Sequence, residues 1–183
     1  NLQQDIFSVC GTKPEISTHA NSRYAVLVGT YRSPLIQRLL SSGKLEKKEL
    51  EGKREKYLLQ TVSSPCDGVE KALVIAGSDK RGAIYGIYEL SGQIGVSPWY
   101  WWADVPVHKH KHIYIKPGIY TDGEPKVEYR GIFINDEWPC MGNWAKEKFG
   151  GFNSTFYKHV FELVLRLKGN FMWPAMWGSA FYD

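Results

Sequence analysis

The chain has 183 residues, a net charge of +4 and an aromatic content of 14% that includes seven tryptophans. This length is enough for one large domain or two modest ones, each with a real hydrophobic core. Lysine and arginine are mostly interleaved with glutamate, as in residues 44–56, which is typical of a solvated surface and not of a nucleic-acid-binding stripe. No apolar run approaches the length of a membrane helix, so we expect neither a nucleic-acid nor a membrane partner.

The three cysteines, Cys10, Cys66 and Cys140, are far apart in the sequence. Their odd number excludes a complete disulfide framework, and their spacing is not that of a zinc site. One pair could still form a bridge if the protein is secreted. The chain begins with Asn1, shows no signal peptide and stops at Asp183, so we expect a fragment or a processed chain.

The first part of the chain has the pattern of a small mixed α/β domain. In chain order, we predict the following elements: a strand at 24–30, a helix at 33–42, a surface loop or helix at 44–56, strands at 57–62 and 72–76, and a helix after Gly77. Pro34 suits the first turn of the first helix, and Gly43 suits its end. This succession of strands and helices is typical of a mixed α/β fold.

Residues Gly77–Gly82 join a predicted strand to a predicted helix, which is where phosphate-binding loops lie. A phosphate loop would continue with lysine and then serine or threonine, whereas Ala83 and Ile84 follow here. The alternative is a tight turn with a helix cap from Ser78 or Asp79, and we favour it. Nucleotide binding is therefore not expected.

Residues 97–107 hold the densest aromatic cluster, Ser-Pro-Trp-Tyr-Trp-Trp-Ala-Asp-Val-Pro-Val, and we predict a structured loop there because the cluster lacks regular periodicity. Flat rings stack on the C–H faces of a pyranose, so Trp99–Trp102 could contact a sugar, with Trp102 as a candidate substrate-binding residue. Domain packing is an equally weighted alternative. With seven tryptophans in the chain, we expect some to be partly exposed.

Downstream of this loop, His108, His110 and His112 alternate with Lys109 and Lys111. In an extended strand the three imidazoles would share one face and could hold a metal ion. No carboxylate or thiolate is close in sequence, so we favour a basic, solvated strand edge and predict no metal site.

The best linker candidate is 117–125, which contains two prolines and an Asp-Gly pair and follows a short strand predicted at 113–115. We therefore predict an N-terminal α/β domain over 1–125 and a second domain over 126–183.

The second domain is predicted to contain a strand at 129–134, a long loop, a helix at 155–168 and a strand at 170–173. Strand, helix and strand at this spacing form a βαβ unit, the beginning of a parallel sheet or barrel. Both alternating sets of residues in the first strand are apolar, so the sequence does not indicate which face would point into a barrel. The helix is expected to bury the following residues: Phe156, Val160, Leu163, Val164 and Leu167.

Polar residues stand where the first of these strands ends. Asn135, Asp136 and Glu137 follow the apolar strand directly, and the carboxyl ends of strands carry the active site in parallel barrels. Equally, Asp136 could simply begin the loop and Glu137 could be an exposed surface residue. Neighbouring residues of a strand point to opposite faces, so Asp136 and Glu137 are not expected to form an acid/base pair with each other. Trp173 similarly ends the next strand and precedes an aromatic loop at 174–178.

Asn153-Ser154-Thr155 forms a glycosylation sequon. It predicts a glycan on Asn153 and favours secretion.

Four segments together resemble glycoside hydrolase family 115, the xylan α-1,2-glucuronidases that remove glucuronic acid or its 4-O-methyl form from xylan. The segments are Gly77-Ser-Asp-Lys-Arg-Gly-Ala-Ile-Tyr-Gly-Ile-Tyr-Glu-Leu-Ser91, Gly95-Val-Ser-Pro-Trp-Tyr-Trp-Trp-Ala-Asp-Val-Pro-Val107, Tyr129-Arg-Gly-Ile-Phe-Ile-Asn-Asp-Glu137 and Leu165-Arg-Leu-Lys-Gly-Asn-Phe-Met-Trp-Pro-Ala-Met-Trp177. The resemblance covers about Leu73 to the last residue, and residues 1–70 match only loosely.

The resemblance implies an N-terminal α/β domain followed by a (β/α)₈ barrel, of which this chain would hold the first βαβ portion. It also implies an inverting hydrolase that needs no cofactor and acts on glucuronoxylan, with two carboxyls about 6.5–9.5 Å apart. Asp136 would be the acidic catalytic position after the first barrel strand, where it binds the sugar or activates water. Asn135 and Glu137 would line or support the pocket, and Trp102 and Trp173 would contact substrate.

A chain that stops after the second barrel strand would lack the proton donor and leave strand faces uncovered. We therefore expect it to be inactive and poorly behaved alone, and we expect the full-length protein to be secreted, with a homodimer as a possible assembly. The alternative, from a different functional class, is a non-catalytic carbohydrate-binding or scaffold domain that uses Trp99–Trp102 as its platform.

Overall fold

The computed structural model describes residues 1–20 and 22–174. They divide into a first unit, Asn1–Lys126, and a second unit that begins at Val127. The first unit contains α1 (Leu2–Cys10), β1 (Tyr24–Thr30), α2 (Pro34–Ser41), a 3-10 helix (Lys47–Glu49), β2 (Tyr57–Ser63), β3 (Lys71–Gly77), α3 (Lys80–Gln93) and β4 (Ile119–Tyr120). The second contains β5 (Gly131–Ile134), α4 (Cys140–Phe149), α5 (Ser154–Arg166) and β6 (Phe171–Pro174). The chain is a mixed α/β protein, as predicted.

The first unit is built on a four-stranded mixed sheet with the strand order β1-β3-β2-β4. β1 is parallel to β3, whereas β2 is antiparallel to both β3 and β4. In the central strand β3, Val74 and Ile75 are fully buried on opposite faces of the sheet. Ile36 and Leu39 of α2 join Val74 in the core cluster on one face. Helix α3 covers the other face, where a Cβ on Gly86 would lie only 2.7 Å from Cγ2 of Ile75.

The segment between β3 and α3 is a tight turn with a helix cap. The Asp79 carboxylate accepts hydrogen bonds from the backbone N–H groups of Gly82 at 2.8 Å and Glu55 at 2.7 Å. A Cβ on Gly82 would lie 2.2 Å from the carbonyl oxygen of Lys56, so this position has room for glycine alone. The turn-and-cap interpretation of Gly77–Gly82 is therefore confirmed.

Two parts of the first unit differ from the predictions. Helix α1 has no counterpart among the predicted elements, and the strand predicted at 113–115 is wrong. A short strand forms instead at Ile119–Tyr120, inside the predicted linker, where it pairs with Leu59 and Gln60 at the open edge of β2. The Thr121 hydroxyl adds to this pairing by donating a hydrogen bond to the Tyr57 carbonyl at 2.6 Å.

The histidine and lysine side chains of residues 108–112 are exposed, as expected, but the strand-edge interpretation is wrong. The backbone N–H of His110 donates to the Val9 carbonyl of α1 at 3.0 Å, and that of His108 donates to the Gly95 carbonyl at 3.4 Å. The run is therefore tied to a helix and a loop instead of a sheet. Among the described residues, no cluster of His, Cys, Asp or Glu is placed to hold a metal ion.

The second unit contains a two-stranded parallel sheet in which Gly131 is aligned with Phe171 and Ile134 with Pro174. This pairing confirms the predicted parallel βαβ connection. The connection contains a second helix, α4, where a long loop is predicted. Trp144 and Phe149 of α4 pack against Phe156 of α5 with ring centroids 6.3 and 5.9 Å apart, so the aromatic residues of the predicted loop stabilise a helical pair.

Helix α5 buries four of the five residues predicted for its core face: Phe156, Val160, Leu163 and Val164. Leu167 is 42% exposed, so that part of the prediction is wrong. The helix ends at Arg166, with Leu167 as its C-cap. Arg166 is buried instead, and its guanidinium reaches back one turn to bind the Glu162 carboxylate at 2.9 Å.

Arg130 and Asn170 tie the beginnings of β5 and β6 together. The side-chain carbonyl of Asn170 accepts from the Arg130 backbone N–H at 2.9 Å, and its amide donates to the Glu128 carbonyl at 2.7 Å. Nε of Arg130 donates to the Lys168 carbonyl at 3.1 Å. These bonds fix the register of the strands and therefore the positions of the residues that follow them.

Within the described ranges, no helix is long and apolar enough to cross a membrane. The three cysteines are free thiols, so the disulfide pair left open by the sequence is not formed.

Candidate active site

The residues after β5 alternate between exposed and buried positions. Ile134 is buried, Asn135 is exposed, Asp136 is only 2% exposed and Glu137 is half-buried. The structure therefore brings the three predicted polar residues to one strand end but gives them different environments. Asp136 is the charged group that is withdrawn from solvent.

Helix α5 supplies the hydrogen-bond partner of Asp136. The Tyr157 hydroxyl donates to Oδ2 of Asp136 at 2.5 Å. Burial raises the pKa of Tyr157 above its ordinary value, and the hydrogen bond to Asp136 and its negative charge raise it further. The phenol consequently stays protonated and remains a donor across the physiological pH range.

The other carboxylate oxygen of Asp136, Oδ1, is buried and has no hydrogen-bond partner among the described residues. An unpaired buried acceptor costs free energy, so such a group calls for a functional or structural explanation. A sugar hydroxyl or an attacking water could supply the missing donor. Since Asp136 is 2% exposed, either would have to replace the side chains that now cover it.

Tyr157 is not among the residues selected from the sequence. Its ring packs edge-on against Phe156 at 4.9 Å and stacks with Phe161 at 6.0 Å, which holds the hydroxyl in place. A signal is present in the sequence, because Tyr157 lies three and seven residues before the buried Val160 and Val164. At helical spacing this places a hydroxyl on the core side of an otherwise apolar face.

The sheet of the second unit presents an exposed aromatic face. Trp173, predicted to bind substrate, is 61% exposed and aligned with Phe133, with ring centroids 6.1 Å apart. Tyr129 and Phe171 form a second edge-on pair at 5.9 Å. The aromatic loop predicted after this strand falls largely on residues 175–178, which lie outside the described residues.

Trp102 belongs to the first unit, in the predicted structured loop. It is half-buried and lies edge-on to Trp101, with ring centroids 4.9 Å apart, whereas Trp99 is exposed. The partial exposure expected for the tryptophans is thus found. Trp102 stays a predicted sugar contact.

Trp138 is an exposed aromatic residue that the sequence predictions do not include. It directly follows Glu137 and is 59% exposed. Its ring lies over Gly142 at the beginning of α4, and Nζ of Lys146 lies 5.9 Å from the ring centroid. The sequence does contain a signal for Trp138, because this residue directly follows the three polar residues at the strand end, Asn135, Asp136 and Glu137.

Comparison with known proteins shows which protein family contains this fold and this candidate site. Residues 122–183 match the family model of glycosyl hydrolase family 115, and residues 1–90 match that of the glycosyl hydrolase family 67 N-terminus. A solved structure of a novel family GH115 4-O-methyl-alpha-glucuronidase, with specificity for decorated arabinogalactans, matches over 96% of this chain with 32% identity and a TM-score of 0.79. The chain belongs to glycosyl hydrolase family 115.

The family resemblance predicted from the four segments is therefore confirmed. This family 115 chain spans 22% of the length of the solved glucuronidase. No curated protein sequence matches it. The match to the family 67 N-terminus covers residues 1–70, which resemble family 115 only loosely, and continues to residue 90, within the segment that begins at Gly77.

In this family 115 chain, Asn153 is the N-cap of α5. Its side-chain carbonyl accepts from the backbone N–H groups of Thr155 at 3.0 Å and Phe156 at 3.2 Å, and its amide donates to the Phe149 carbonyl at 2.6 Å. The residue is exposed, and glycosylation at Asn153 stays a prediction.

We expect Asn153→Ala to destabilise the chain by about 1 kcal/mol, because the first turn of α5 loses its cap. Asn153→Asp retains the acceptor oxygen and should stay within about 0.5 kcal/mol of the parent. Both values are measured by urea unfolding of protein made without glycosylation. Equal stability of the alanine and aspartate variants would contradict the capping role.

Proposed function

We propose that this chain is part of a glycoside hydrolase that removes α-1,2-linked glucuronic acid, or its 4-O-methyl form, from the side chains of xylan. The observation that carries the proposal is the match to a 4-O-methyl-alpha-glucuronidase over 96% of the chain with 32% identity. The family 115 match over the residues that contain β5 and β6 supports the same activity.

The second unit is proposed to be the first part of a (β/α)₈ barrel. Its two strands are parallel, as every barrel strand must be, and α5 packs against β6. Helices lie outside such a barrel, so the exposed face that carries Phe133 and Trp173 would point inward. On this proposal the strand ends would place Asn135, Glu137 and Trp173 around the mouth of the pocket.

Asp136 is proposed to bind the sugar or to activate the attacking water. Its carboxylate is held by Tyr157 through one oxygen, and the other oxygen lacks a donor in the described part of the chain. An inverting hydrolase places a water between two carboxyls that are about 6.5–9.5 Å apart. Consecutive residues do not provide that separation across a sugar, so the proton donor would come from a part of the protein other than Glu137.

The substrate is proposed to be glucuronoxylan, and the protein is proposed to act outside the cell, where such polymers occur. The solved relative is specific for decorated arabinogalactans, so the linkage context of the uronic acid is the property to test. No cofactor is required, because carboxyl groups alone perform this hydrolysis. We also propose that the full-length protein forms a homodimer.

The test is to incubate the purified, intact gene product with glucuronoxylan and, separately, with glucuronic-acid-decorated arabinogalactan. Chromatography of the soluble products would measure free glucuronic and 4-O-methylglucuronic acid. Release from glucuronoxylan supports the proposal, and release from arabinogalactan alone would replace the proposed substrate. Binding of either polymer without any release would favour the alternative, a non-catalytic carbohydrate-binding or scaffold domain that uses Trp99–Trp102, of which Trp99 is exposed.

A further inference from the structure

Trp138 is a large apolar side chain that stays exposed beside the candidate active site. It stands in the turn between β5 and α4, immediately after Glu137, and is 59% exposed. The backbone carbonyl of Glu137 accepts a hydrogen bond from the Gly142 N–H at 2.8 Å, which ties the beginning of α4 to the strand end. The ring is therefore attached to a fixed part of the second unit.

Gly142 makes the position of the Trp138 ring possible. A Cβ at Gly142 would lie 2.6 Å from Cδ2, 2.8 Å from Cε2 and 2.9 Å from Cγ of the indole. Nearly equal distances to three ring atoms indicate that the helix backbone meets the flat face of the ring. One face is thus supported by α4, and the exposed area leaves ring surface for a ligand.

Lys146 adds a positive charge to this surface. It lies one helical turn after Gly142, and its Nζ atom is 5.9 Å from the centroid of the Trp138 ring. Lys146 is exposed and forms no ion pair with any carboxylate in the described part of the chain. An aromatic plane beside an unpaired ammonium group suits a sugar ring that carries a carboxylate.

We propose that Trp138 and Lys146 form a subsite for the uronic acid, with the C–H face of the sugar on the indole and its carboxylate at Nζ of Lys146. This inference rests on the proposed function and assigns the stacking of the sugar to Trp138 and the preference for a charged sugar to Lys146. A neutral hexose would use the indole but gain nothing from Lys146. Lys146 would therefore distinguish uronic acid from neutral sugar.

The test measures the Kd of the intact gene product for D-glucuronate and for methyl α-D-glucopyranoside by isothermal titration calorimetry, together with kcat and KM on glucuronoxylan. Trp138→Ala should weaken the binding of glucuronate about tenfold and raise KM more than it lowers kcat. Lys146→Gln should raise the Kd for glucuronate about fivefold and leave the Kd for the neutral sugar unchanged. The matched control is Lys148→Gln, on the same helix, which should change neither Kd.

Glucuronate affinities within twofold of the parent in both Trp138→Ala and Lys146→Gln would overturn the subsite. An equal loss of glucuronate affinity in Lys148→Gln would also overturn the subsite, because the loss would then follow from the lower net charge of the protein and not from the position of Lys146. Trp138→Phe, which keeps a flat ring, should retain most of the affinity, and a thermal melt of Trp138→Ala that matches the parent shows that its loss of affinity is not a failure to fold. Hydrolysis of glucuronoxylan by the parent tests the proposed function separately, so an active parent with unaffected variants would refute the subsite alone.

Discussion

Asp136→Asn is expected to lower kcat for the release of glucuronic acid at least about 100-fold, with little change in Tm. The amide removes the negative charge that would bind the sugar or activate water. It keeps a carbonyl oxygen that can accept from Tyr157, whose hydroxyl lies 2.5 Å from Oδ2 in the parent. A neutral amide also costs less to bury than a carboxylate at a position that is 2% exposed, so stability should be equal or higher.

Steady-state kinetics on glucuronoxylan and a thermal melt of the intact gene product measure the two quantities. Glu147→Gln is the matched control, because Glu147 is an exposed carboxylate on α4 and should retain the parent kcat. If Asp136→Asn keeps full activity but loses stability, Asp136 has a structural role alone. It would then serve only to join the end of β5 to α5.

Gly131→Ala is expected to destabilise the second unit by about 3 kcal/mol or more. A Cβ at this position would lie 1.8 Å from the carbonyl oxygen of Phe171 and 2.5 Å from its carbonyl carbon. These are backbone atoms of the paired strand, so no side-chain rotation can relieve the overlap. The strands would have to separate at Gly131–Phe171, next to the bonds made by Arg130 and Asn170.

Urea unfolding followed by circular dichroism measures this loss. Gly92→Ala is the matched control, because it adds the same methyl group in the helix α3, where a Cβ would meet no atom within 4 Å. We expect it to be neutral or stabilising by about 0.5–1 kcal/mol, since alanine is the better helix former. Two variants with equal stability would contradict the close approach of β5 and β6.

Much of the fold follows from local sequence rules. The buried strand β3 is a continuous apolar run, and α3 begins at an Asp79 cap and packs through small residues, so the sequence alone is sufficient to predict both. The strand Ile119–Tyr120 is different, because it exists only where β2 offers a free edge, a long-range condition that a Pro- and Gly-rich segment does not reveal. Helix α4 depends similarly on its contacts with Phe156.

The candidate site likewise has features that the local sequence predicts and features that depend on contacts with distant residues. The position of Asn135, Asp136 and Glu137 at a strand end is predictable, because the apolar run stops there. Their burial is not predictable, since the withdrawal of Asp136 depends on Tyr157, which is 21 residues away in the sequence. The support of Trp138 by Gly142 likewise requires a helix that the sequence does not clearly predict. Contacts between elements, more than the elements themselves, are what the structure adds.

The most direct test of the proposed activity is a ¹H NMR time course of glucuronoxylan with the intact gene product. The proposal predicts that free glucuronic or 4-O-methylglucuronic acid appears first as the β-anomer, because inversion at an α-linkage gives that product before mutarotation. An α-anomer formed first would contradict the inverting mechanism. A spectrum without free uronic acid would contradict the central claim that this family 115 chain serves an α-glucuronidase.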